Sequence, residues 1–134
     1  MPSDPESLVI NDPAVVAEVT AMFQAYEAAL MANDIHTLDW LFWASDHTVR
    51  YGVGENLYGE DEILAFRKTR LGGSPQRLLT RTEITTFGRD FATANAEFQR
   101  QNDGRVGRQS HAWVRMAEGW RIVAAHVSFK SENS

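Results

Sequence analysis

The chain has 134 residues, a formal net charge of -5, no cysteine, and ordinary shares of hydrophobic (43%) and charged (23%) residues. These figures describe one soluble globular domain, able to bury about two-thirds of the surface its unfolded chain exposes. Without cysteine there is no disulfide, thiolate catalysis, iron–sulfur ligation or Cys-based zinc site. The acidic balance argues against nucleic acid as the main partner, and no apolar run approaches the ~20 residues that cross a bilayer.

The opening residues, MPSDPESLVIND, lack the basic region and apolar core of a signal peptide, so a cytoplasmic protein is expected. Asp12 and Pro13 then start a first helix, Asp12 as N-cap and Pro13 at the first helical position, where a missing N–H costs nothing. Val16, Val19, Phe23, Tyr26 and Leu30 follow at three- and four-residue steps and predict its buried stripe. A tyrosine on that stripe needs a partner for its hydroxyl.

Asn33-Asp34 breaks the pattern and caps a short second helix with Ile35, Leu38, Leu41 and Phe42 as apolar positions. A strand is predicted over Thr48 to Val53, with a turn and return over Gly54 to Gly59. A third helix follows, acidic at Glu60-Asp61-Glu62 and basic at Arg67-Lys68-Thr69-Arg70, as the helix dipole favours. Ile63, Leu64 and Phe66 supply its apolar contacts. Two strands come next, Arg77 to Phe87 and Phe91 to Gln101, joined at Gly88-Arg89-Asp90. The last is a long hairpin from Val106 to Phe129, turning at Ala117-Glu118-Gly119. Helices gathered on one face of a mainly antiparallel sheet make an α+β domain, with disorder expected only at the chain ends.

Alternation gives each hairpin strand two faces. Gln109, His111, Trp113 and Arg115 share one face of the first strand. In the second, Trp120, Ile122, Ala124, His126 and Ser128 lie opposite Arg121, Val123, Ala125, Val127 and Phe129. Bulky apolar residues mixed with His, Gln, Ser and Arg form either a pocket wall or a face toward solvent or a second subunit. His36, His47 and His126 do not pair with carboxylates at metal-ligand spacing, and no P-loop, GxGxxG or GxSxG is present, so neither metal nor cofactor is expected.

The order of elements looks like the cone-shaped α+β fold of nuclear transport factor two, shared by SnoaL-like proteins. Within it, HTVRYG, FRKTR, PQRLLTRTEITTFGRDFATANAEFQR, GRQSHAWVR and GWRIVAAHVS together resemble the AtzH-like family, over roughly residues 10 to 130. The fold alone carries many chemistries, and the longer family pattern is far more specific. The family's namesake is a decarboxylating amidohydrolase of cyanuric acid catabolism that turns 1,3-dicarboxyurea into allophanate. Its catalytic tyrosine on the first helix and arginine on the first strand match Tyr26, in FQAYEAAL, and Arg50, in HTVRYG.

The resemblance thus implies a cofactor-free hydrolase acting on a C–N bond of a small carboxylated urea or amide, in cyanuric acid, urea-amide or purine nitrogen catabolism. A planar guanidinium suits a carboxylate, so Arg50 is the expected anion-binding residue and Tyr26 either the general acid or the group that orients a water for hydrolysis. Gln109 and His111 are candidate substrate contacts if their face points inward, and Arg67 is a candidate for drawing an anion to the mouth. Arg70 reads more simply as helix-dipole chemistry. The alternative to an enzyme is a non-catalytic anion-binding accessory of a pathway amidase. An isomerase or dehydratase, as elsewhere in the fold, lacks an evident inward Asp/His pair. A homodimer is expected through the open face of the sheet, with Phe98, Trp113 and Trp120 as its aromatic area.

Overall fold

The computed structural model describes residues 8–131. The expectation of disordered ends falls on residues 1–7 and 132–134, outside the described residues. Three helices, α1 (Pro13–Ala32), α2 (Ile35–Leu41) and α3 (Glu60–Thr69), pack on a six-stranded sheet. Its strands are β1 (Val49–Tyr51), β2 (Asn56–Tyr58), β3 (Arg77–Phe87), β4 (Phe91–Arg100), β5 (Val106–Met116) and β6 (Gly119–Phe129). They lie in the order β2-β1-β6-β5-β4-β3.

The long strands follow one another as antiparallel neighbours, as short turns allow. The short β1 is different. It pairs antiparallel with β2 and parallel with β6, placing Arg50 opposite Leu57 on one side and Ala125 on the other. Thus the second quarter of the chain is held against its last strand.

Local chemistry explains the helix ends. Asp12 accepts the Ala14 N–H at 2.9 Å with Pro13 in the first turn, and Asn33 closes α1 in the left-handed region. Asp34 caps α2, accepting from the Thr37 N–H and hydroxyl. The buried stripe of α1 is Val15, Val19, Phe23, Tyr26, Ala29 and Leu30. Val15 takes the place expected of Val16, which is only half-buried, because the four-residue step from Phe23 to Val19 continues to Val15.

Two expectations are corrected by the sheet. A bulge in β6 leaves Val123 unpaired, since Trp113 faces Ile122 while Ala112 faces Ala124. One extra residue exchanges the faces beyond it. Trp120 and Ile122 point into the core, but from there it is Ala125 that turns inward, with Ala124 and His126 exposed. The second correction concerns Phe98, Trp113 and Trp120, expected to offer area for a second subunit. They are buried at 3%, 0% and 4% exposure inside this chain. The opposite face of the sheet carries Asn95, Glu97, Arg108 and Ser110, all exposed.

Candidate active site

Between α1, α3 and the inner face of the sheet lies a cavity of about 280 Å³. Tyr26, Arg50, Gln109 and His111 all line it. Each arrives from a different constraint. Tyr26 is the fourth buried residue of the α1 stripe. Arg50 is the middle residue of β1, with its neighbours in the ladder fixed on both sides. Gln109 and His111 are successive inward positions of β5, followed by Trp113.

The lining is strongly cationic. Among the described residues five arginines line it, Arg50, Arg70, Arg77, Arg100 and Arg105, against one acid, Glu55. Leu30, Phe66, Phe98 and Phe129 supply apolar wall between them. The aromatic rings also carry the cations. Arg50 and Arg70 lie over the same Phe66 ring at 5.3 and 5.6 Å, and Arg105 lies 3.9 Å from the Phe129 ring centre.

Tyr26 and Arg50 are engaged by different partners. Arg50 Nη1 is 3.0 Å from the Glu55 carboxylate. Tyr26 packs its ring edge-on to His111, with centroids 4.5 Å apart, and its hydroxyl supports the guanidinium of Arg67. Arg67 is not among the cavity-lining residues. It stands behind Tyr26 at 3% exposure, over the Phe42 ring, with Nε and Nη2 free of any partner among the described residues. Burial lowers its proton affinity below the ordinary arginine range, and the Tyr26 oxygen works in the opposite direction. Arg70, read from the sequence as serving only the helix end, is the α3 arginine that reaches the cavity.

His111 is enclosed at 3% exposure, and neither ring nitrogen has a hydrogen-bond partner among the described residues. Burial, then the positive charges of Arg77, Arg67 and Arg50, pushes its pKa down to about 3. It is therefore a neutral imidazole at any working pH, with one N–H to donate and one nitrogen to accept.

Arg77 was missed by sequence reasoning. It opens β3, is 7% exposed, and grips Glu27 of α1 through Nε at 3.0 Å and Nη2 at 2.7 Å. The same Nη2 donates to Gln109 Oε1 at 2.7 Å. A guanidinium only donates, so the Gln109 oxygen must face it and the amide Nε2 is left as an unpaired donor. The one signal available was that Arg77 shares the inward alternation of Leu79. For Arg67 and Arg70 the signal was clearer: Ile63, Phe66, Arg67 and Arg70 fall at i, i+3, i+4 and i+7, one face of α3.

Among the described residues, no group of three or more His, Asp and Glu side chains is placed to hold a metal ion, and no helix is long and apolar enough to cross a membrane.

The AtzH-like family profile matches residues 8–133. A crystal structure of a protein of unknown function from Pectobacterium atrosepticum, of the family DUF3225, is 54% identical, with a TM-score of 0.88 over 91% of this chain and 95% of its own. A cystatin-like fold protein from Burkholderia xenovorans is 45% identical, with a TM-score of 0.88 over 93% and 98%. A protein of the nuclear transport factor 2-like superfamily from Salmonella enterica, 24% identical, has a TM-score of 0.74 over 91% and 95%, and shares the fold. No curated protein matches significantly.

Proposed function

Because the chain belongs to the AtzH-like family, we propose that it is a cofactor-free decarboxylating amidohydrolase of a small carboxylated urea or amide, such as 1,3-dicarboxyurea. The observation that carries this reading is that Tyr26 and Arg50 line one cavity whose wall holds five guanidiniums and one carboxylate. A flat dianion rich in oxygens is the complementary ligand.

Arg50 holds one terminal carboxylate, and Arg70, Arg100 and Arg105 draw the other. The unpaired Gln109 amide donor and the His111 imidazole meet the urea oxygens and nitrogens. In the reaction, the bond between a urea nitrogen and its terminal carboxylate breaks. The carboxylate carbon leaves as carbon dioxide, its bonding electron pair stays on nitrogen, and one proton is taken up to give allophanate. Tyr26 supplies that proton and recovers it from solvent. Arg67, behind the phenol, holds its oxygen in place and offsets negative charge gathering there.

The test is carbon dioxide release from freshly generated 1,3-dicarboxyurea without added metal. Wild type should turn over, and Tyr26→Phe and Arg50→Ala should each lose about a hundredfold or more, the usual worth of a positioned acid or electrostatic group. Full turnover by Tyr26→Phe would remove the tyrosine from the chemistry. No turnover in wild type, together with dicarboxylate binding that Arg50→Ala abolishes, would favour an anion-binding accessory of an amidase. We propose that the working unit is a homodimer.

A further inference from the structure

Among the described residues that line the cavity Glu55 is the one acid, and its carboxylate already occupies Arg50 at 3.0 Å. The placement is built rather than casual. The return between β1 and β2 is tied by the Gly52 N–H to the Glu55 carbonyl at 2.9 Å, and the Gly54 N–H donates to Glu55 Oε2 at 3.2 Å. Gly52 is bare where the acid lies, and a Cβ there would overlap the Glu55 head group. Arg50 is confined in turn, buried at 7% exposure with its guanidinium over Phe66.

A carboxylate on a guanidinium makes the contact that an incoming carboxylate would make. We propose that Glu55 sets the affinity threshold of the cavity: it is a resident anion on Arg50 that every entering carboxylate must displace. The inference rests on the reading of Arg50 as the carboxylate-binding group. A simple monoanion exchanges one such contact for another and gains little. A ligand with a second acidic group makes the same exchange at Arg50 and adds a contact with the guanidinium of Arg70 or Arg105, neither of which forms a salt bridge among the described residues. Glu55 thereby raises the threshold for all carboxylates, and ligands with one acidic group fall below it.

Calorimetric titration of the intact protein with malonate and with acetate tests this. Glu55→Gln keeps an oxygen for the Gly54 N–H while removing the charge. It should tighten both ligands by a similar factor, about fivefold, the scale of one partly exposed ion pair. Gly52→Ala, at a position whose φ is not positive, should shift affinity the same way by pushing the acid off Arg50 without neutralising it. Affinities within twofold of wild type in Glu55→Gln, or weaker ones, would overturn the proposal and make Glu55 a support for Arg50. If Arg50→Ala binds malonate as wild type does, the reading of Arg50 fails instead.

Discussion

His111 shows how a single side chain can be read in two directions. Its ring is enclosed by Phe23, Tyr26 and Trp113 and faces three guanidiniums, so protonating it in the folded chain is disfavoured. Its pKa is about 3 when folded against an ordinary value of 6.5. Between those values the unfolded chain binds more protons than the folded one, so stability falls as pH falls from about 6.5 and is untouched above it. The slope from this one group is at most about 1.4 kcal/mol per pH unit. Urea unfolding of His111→Phe at pH 7, 6 and 5 should show a shallower loss than wild type, and equal slopes would contradict the burial argument. The alternation of β5 showed that His111 shares a face with Gln109 and Trp113, but not that this face turns inward. Its neutrality was not legible either, because it depends on charges from β1, α3 and β3 that only the fold brings together. The same holds for Arg67, whose sequence position suits a helix end while its periodicity places it inside.

At the scale of elements, the Glu27–Arg77 pair fastens α1 to the start of β3. Arg77 is 4% and Glu27 15% exposed at the side chain, so removing one partner strands the other with little water to replace it. Arg77→Met should destabilise the fold by about 3 kcal/mol, whereas Glu27→Gln combined with Arg77→Met should recover part of that loss. Chemical denaturation of the two single variants and the double variant would measure the coupling, and strictly additive losses would mean that the pair acts as two independent surface charges. Gln109 would also lose the contact that orients its amide. Element boundaries themselves were legible. The span of β3 matches the prediction because Pro75 and Gly88 punctuate it, and the caps of α1 and α2 are written in Asp12, Asn33 and Asp34. The β6 bulge at Val123 was not legible, since Ile122-Val123-Ala124-Ala125 alternates acceptably in either register.

For the whole molecule, the aromatic residues first assigned to a subunit contact are needed by the core, leaving a polar outer face on β4 and β5. Arg108 stands opposite Glu97 across these strands, and the Ser110 hydroxyl donates to Asn95 Oδ1 at 2.6 Å. A dimer formed there would be wet and polar rather than an extension of the core. Sedimentation at micromolar concentration should give a dimer that loosens with added salt, and a monomer at low salt would contradict the proposed assembly.

The parallel pairing of β1 with β6 has a consequence for how the chain is made. Arg50 leaves the ribosome well before Ala125, which belongs to the strand that holds its backbone in place. Such a distant pairing is slow to close, and domains generally fold as units during synthesis. The nascent chain therefore carries its basic residues for most of translation without a pocket to gather them. The cavity wall is complete only when the final hairpin docks.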